Sequence, residues 1–100
     1  MLKAQYDQSF RAPYLEMWRA LGVWRDQTLG QAMAQTAASH PDALLVMHSD
    51  THASEMPLSE VHRQGLQLAS ALHAIGLRCG DVIAVQTPNW LEGVLLYRAA

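Results

Sequence analysis

The run from Ser59 to Ala100 constrains this chain more than any other part, because it opens an α/β unit without closing it. Val61, Gly65, Leu68, Leu72 and Ile75 recur at spacings of four and three, the period of a helix face turned toward a core. A helix is therefore expected from about Ser59 to Ile75. Ser59 should be its N-cap, and Gly76 a left-handed stop with apolar Leu77 just after it. A tight Gly80-Asp81 turn follows. Then come Val82-Ile83-Ala84-Val85, apolar throughout, as in a strand buried on both faces of a parallel sheet. Pro88-Asn89 breaks that run, and a second apolar helix starts at Trp90 and still runs at Ala99-Ala100. Helix, buried strand, helix is the α/β order. A helix ending on small apolar residues has no C-cap, so the chain reads as the leading piece of a larger protein.

The upstream half is expected to supply two short helices and a β-hairpin. Residues 1–12 are polar and mixed, and read as a loose arm. Pro13 suits the first turn of a helix to Leu21, which Gly22 ends; Tyr14, Trp18 and Leu21 form its apolar stripe. Thr28-Leu29-Gly30-Gln31 matches a capping box, with Thr28 as N-cap and Gln31 at N3. Leu29, Met33, Thr36 and Ala37 share a face of the helix it opens, and His40-Pro41 closes it. Residues 43–47 have strand length, residues 49–54 carry turn chemistry, and residues 55–58 return as a second strand. Pro57 cannot donate to a ladder, so that strand should lie at an edge or be interrupted there. The expected division is a lead over residues 1–27 and the start of a large domain over residues 28–100.

Half of the 100 residues are hydrophobic and only 16% are charged, an apolar excess that reads as surface meant to be covered. The net charge is -2, and the seven basic residues are scattered, which gives no electrostatic footprint for nucleic acid or an anionic membrane. The single cysteine, Cys79, excludes an internal disulfide framework and fits a reducing compartment. No apolar run approaches the roughly 20 residues of a membrane-spanning helix. The expected setting is cytoplasmic, and the expected partners are the rest of the polypeptide and another copy of the chain.

Each candidate for chemistry has a plainer reading. His62 and His73 share a helix face, but eleven residues apart they stand ~16 Å from each other, too far to hold one ion. His48 and His52 flank a turn, with no cysteine or paired carboxylate at ligand spacing. Cys79 follows Arg78, a cation able to favour a thiolate, yet nothing in the sequence supplies an oriented base. Asn89 lies past the C-terminal end of the expected buried strand, the side where ligands gather in open α/β sheets. As an N-cap for the helix at Trp90 it has a simpler task. Trp18 and Trp24 offer a stacking platform, but without the basic groove of nucleic-acid binders they read as packing residues. Val94-Leu95-Leu96 lacks the flanking basic face of a membrane-surface helix.

Taken in order, Leu58-Ser59-Glu60-Val61, the helix ending Ala74-Ile75-Gly76-Leu77, then Gly80-Asp81-Val82-Ile83-Ala84-Val85-Gln86 and Pro88-Asn89, resemble the opening of the adenylate-forming superfamily. Trp18 to Trp24, Thr28-Leu29 and His40-Pro41-Asp42-Ala43 look like the lead of its acid–CoA ligase and aryl-acid–AMP ligase branches. Pro57-Leu58 stands where many relatives carry Thr-Tyr, and Trp18 where many carry Tyr. The resemblance implies the N-terminal part of a large domain with a mostly parallel sheet flanked by helices. It implies a parent enzyme in which a carboxylic acid attacks ATP to give an acyl-adenylate and pyrophosphate, and a thiol, usually of coenzyme A, displaces AMP. ATP, Mg2+ and CoA are the implied cofactors of that parent. The family's phosphate loop with its Lys, acidic ribose-binding residue, Mg2+-associated Glu and late catalytic Lys match no position here. No catalytic, cofactor-binding or metal-binding residue is therefore assigned. A non-catalytic interaction or oligomerisation module is the alternative, and the carrier-protein thiol is the alternative acceptor.

Overall fold

The computed structural model describes residues 12–100. The expected arm lies outside the described residues, except that Ala12 already belongs to the first helix. The elements run α1 (Ala12–Ala20), α2 (Leu29–Ser39), β1 (Leu44–Met47), β2 (Ser54–Pro57), α3 (Leu58–Ala74) and α4 (Leu91–Ala99). Among the described residues this is an α/β arrangement with one two-stranded antiparallel sheet.

The capping box opens α2 as its residues require. Thr28 Oγ1 accepts from the Gln31 backbone N–H at 3.1 Å, and Gln31 Oε1 accepts from the Thr28 N–H at 2.9 Å. His40 closes the helix, its N–H donating to the Thr36 carbonyl. Both helix stops at glycine use one device. The N–H groups of Gly22 and Val23 donate to the carbonyls of Arg19 and Trp18, and those of Gly76 and Leu77 to His73 and Leu72. Each is a Schellman closure, which needs a left-handed residue; Gly22 has φ 69° and Gly76 φ 107°.

In the hairpin, Leu45 pairs with Met56 and Met47 with Ser54. These four point toward the body, and Met47 is buried, while Leu44 and Val46 on the other face are exposed. The Ser49 hydroxyl holds the connecting turn by accepting from the N–H groups of Thr51 and His52. Pro57 is the last residue of β2 and sits at the N-cap position of α3.

Three sequence expectations fail here for identifiable reasons. Ser59 does not cap α3, which begins one residue earlier. Its first donors are met by distant backbone: Leu58 N–H reaches Ala43 O at 2.8 Å and Ser59 N–H reaches Pro41 O at 3.1 Å. Asn89 does not cap α4; Trp90 holds that position without a side-chain hydrogen bond. Asn89 Nδ2 points instead to the His48 carbonyl at 3.4 Å. Val82–Val85 form no strand. β1 and β2 pair with each other, and a further strand has no ladder partner among the described residues. Val82 is accordingly 90% exposed.

The core sits where α3 meets α2, α4 and the hairpin, with Ala37, Met47 and Val61 as its buried apolar residues. Of the expected α3 stripe, Val61 and Gly65 are buried, Leu68 and Leu72 half-buried, and Ile75 is exposed. Tyr14, Trp18 and Leu21 are exposed too, although Trp18 stacks on Trp24 with ring centres 6.3 Å apart. Removing the capping hydroxyl with Thr28→Ala is expected to lower stability by about 1 kcal/mol, read from urea unfolding followed by far-UV circular dichroism.

Candidate functional site

The most constructed arrangement of polar groups lies between α3 and α4. A glycine in mid-helix costs about 1 kcal/mol against alanine, so Gly65 needs a packing reason. That reason is Arg98. A Cβ on Gly65 would stand 2.8 Å from Arg98 Cβ and closer still to its Cγ. The arginine stem thus lies flat across bare α3 backbone. Its guanidinium is then delivered to His62: Nε donates to Nδ1 at 3.0 Å and Nη2 lies 2.8 Å from the same atom. Nδ1 can accept only as an unprotonated nitrogen. The imidazole therefore orients the arginine without neutralising it.

This pair lines a cleft of about 300 Å3 between α2, α3 and α4, whose other walls are mainly apolar, with Leu29, Met33, Ala37 and Val61 among them. Sequence reading missed the pair because Arg98 counts there as one scattered cation. The legible signal was Gly65, in the middle of an otherwise apolar helix stripe.

On the same turn of α3 as His62, Arg63 grips Glu60 with both arms of its guanidinium fork, Nε to Oε2 at 2.7 Å, and Gln64 Nε2 donates to Oε1 at 2.7 Å. The Arg63 hydrogen bond, then that of Gln64, lowers the Glu60 carboxyl from 4.5 to about 2. The same pairing raises the Arg63 guanidinium.

The other candidates separate in space and role. His52 stacks on Trp90, ring centres 3.9 Å apart, with Nδ1 2.9 Å from the Thr51 hydroxyl. With the Asn89 contact to His48, this stack joins the hairpin turn to the start of α4. His48 and Asn89 line a shallow hollow with Ser49 and Asp50. Cys79 is exposed at the second position of the Arg78–Asp81 turn. Arg78, its neighbour, spends its Nη1 on the carbonyls of His73 and Leu77. Asp81 accepts from the Arg78 N–H at 2.8 Å. Among the described residues, no group of three His, Cys, Asp or Glu is placed to hold a metal ion. No helix among them is long and apolar enough to cross a membrane.

Comparison with known proteins gives this architecture its context. The chain is 33% identical over 94 residues to the medium-chain fatty-acid–CoA ligase of Escherichia coli, spanning 94% of the chain. By sequence it is a relative of the adenylate-forming ligases. It is also 32% identical over 82 residues to the salicyl-AMP ligase / salicyl-S-ArCP synthetase of Mycobacterium tuberculosis, and 34% identical over 83 residues to the vibriobactin-specific 2,3-dihydroxybenzoate-AMP ligase of Vibrio cholerae. These matches cover 80% and 82% of the chain. The chain spans only 16%, 14% and 14% of the three relatives' lengths. No family model matches it, and no solved structure matches it.

Two outcomes check the α3 geometry. Gly65→Ala gains about 1 kcal/mol of helix propensity but forces the Arg98 stem aside at a cost of about 1–3 kcal/mol. Net destabilisation is expected in urea unfolding. Gly30→Ala, whose nearest neighbour would be an ordinary 3.7 Å contact, should be neutral or stabilising. For Glu60, a folded-state value below the unfolded one means that its contribution is present above pH 4.5 and is lost as pH falls toward about 2. The stability advantage of the native chain over Glu60→Gln should therefore shrink between about pH 6 and about pH 2.5 in urea titrations. Added salt should weaken it further, since the pair is solvent-accessible.

Proposed function

We propose that this chain is the N-terminal portion of an ATP-dependent acid–CoA ligase, in which it serves as scaffold. The carrying observation is the 33% identity to a fatty-acid–CoA ligase over nearly the whole chain. Supporting it are apolar groups left facing outward: Val82, Ile75 and Tyr97 are each at least 75% exposed. Burying a side chain of this size stabilises by about 1.5–3 kcal/mol, so a covering body of protein has much to gain here. The run Val82–Val85 then becomes an inner strand of the parent's sheet, and residues 28–100 the start of its large domain.

In the proposed parent, a carboxylate attacks ATP, an acyl-adenylate and pyrophosphate form, and the CoA thiol displaces AMP to give acyl-CoA. Mg2+ would accompany the ATP. The described residues do not fit these groups. They offer no glycine-rich cradle of backbone amides for a polyphosphate and no three-ligand cluster for a cation. No step of the reaction is assigned to them, and this segment by itself is proposed to be inactive. The parent is placed in the cytoplasm.

A second reading is favoured by the salicyl- and 2,3-dihydroxybenzoate-specific relatives: an aryl-acid–AMP ligase that passes its acyl group to a carrier-protein thiol. A third, non-catalytic self-association through the exposed apolar faces, rests on the same surface as the scaffold role. Acid-dependent exchange of labelled pyrophosphate into ATP by the full-length protein is the expected outcome across a panel of aliphatic and aromatic acids. Release of the acyl group to CoA, rather than to a carrier protein, separates the first reading from the second. Absence of exchange with every acid would contradict both.

A further inference from the structure

We propose that His62 is a proton-operated latch between α3 and α4: its neutral ring holds Arg98, and with it the last turn of α4, on α3, and protonation of Nδ1 releases them. The first ground is that this contact is the polar tie between the two helices. Among the described residues, hydrogen bonds between α3 and α4 run only from Arg98 to His62. The two ion pairs among those residues, Arg19–Asp26 and Arg63–Glu60, do not join the two helices. Both bonds end on one atom, with Nε donating to Nδ1 at 3.0 Å and Nη2 2.8 Å from it. An unprotonated ring nitrogen accepts there, whereas a protonated one is itself a donor. One proton therefore removes both bonds and sets an imidazolium against a guanidinium at hydrogen-bond distance, where like charges repel.

The second ground is that no neighbouring acid offsets that added charge. α2 and β1 carry no titratable side chain. Glu55 of β2 is exposed, opposite Val46 on the outward face of the hairpin. On α3, Glu60 is held by Arg63 and Gln64, and residues two apart on a helix do not face each other. His73 lies in the last turn of α3, ~16 Å along the axis. On α4, Glu92 lies in the first turn, at the far end from Arg98, and Tyr97 is exposed. His62 and Arg98 are both half-buried, so water screens their repulsion less than at an exposed site. The Arg98 stem lies across the bare backbone of Gly65, and both side chains line the cleft between α2, α3 and α4. Release of the guanidinium therefore opens that cleft. The contact is complete where the ring is neutral and is lost as pH falls; unperturbed histidine titrates near about 6.5. His52 acts in the opposite sense, since a positive ring stacked on Trp90 is attracted to the indole face at the start of α4.

The test is an NMR titration of the full chain from about pH 8 to about pH 5, an interval that spans the ordinary histidine range. Two signals are followed: the nuclear Overhauser contact between the Gly65 α-protons and the Arg98 methylenes, and the ring carbons of His62. The closed-to-open ratio read from the contact is expected to fall at least about fivefold, the worth of about 1 kcal/mol of lost hydrogen bonding. Its midpoint should coincide with that of the His62 ring. His62→Gln, which keeps a side-chain acceptor that takes no proton in this range, should hold the contact equally at both ends. The comparison within the native chain needs no variant, so a folding defect in His62→Gln does not blunt it. A contact unchanged across the titration, a midpoint that follows another histidine, or an undiminished loss in folded His62→Gln would each overturn the latch. Pyrophosphate exchange by the full-length protein bears on the ligase reading and is indifferent to all three results.

Discussion

The close approach of α4 to α3 at Gly65 is the contact on which the rest of this structure depends. Among the described residues the buried apolar ones are few, Ala37, Met47 and Val61, so within them no large interior fixes the helices independently. Instead, one missing Cβ lets the Arg98 stem lie on α3, and the His62 ring fixes the guanidinium beyond it. α2 then closes the cleft, while the hairpin packs on α3 through its inward face. Close packing of this kind tolerates added atoms poorly. A single methyl at residue 65 reaches the helix pair that organises everything else.

Local chemistry was the part of the fold most legible in the sequence. The Thr28–Gln31 box, the glycine stops at Gly22 and Gly76, the turn after Met47 and the edge position of Pro57 each depend on residues within a few positions of one another. Where the sequence misled, the deciding partner was far along the chain. Ser59 and Asn89 have good capping side chains, but Pro41 and Ala43 carbonyls serve the start of α3, and the His48 carbonyl engages Asn89. A strand is a collective property, and Val82–Val85 have strand composition without a neighbour to pair with among the described residues. Arg98 and His62 are separated by 36 positions, and no spacing rule joins them.

Several apolar side chains of the described residues lie outside the core. A chain related to adenylate-forming ligases, yet about one-sixth as long as the E. coli relative, has its helix stripes and apolar run only partly covered. Ile75 continues the α3 stripe and is 77% exposed, while Val61 four turns earlier is 4% exposed. The proposed scaffold role explains that gradient as an interface with further protein.

Native-state hydrogen exchange of the 100-residue chain tests the central claim most directly, because it reads each backbone N–H separately. If the α3–α4 contact organises the fold and the apolar run is unpaired, amides around Gly65 and Leu68 should be the slowest to exchange. Those of Val82–Val85 should exchange at the rate of an open chain. Protection of Val82–Val85 equal to that of α3 would contradict the account, since it would require a ladder partner that the described residues do not provide.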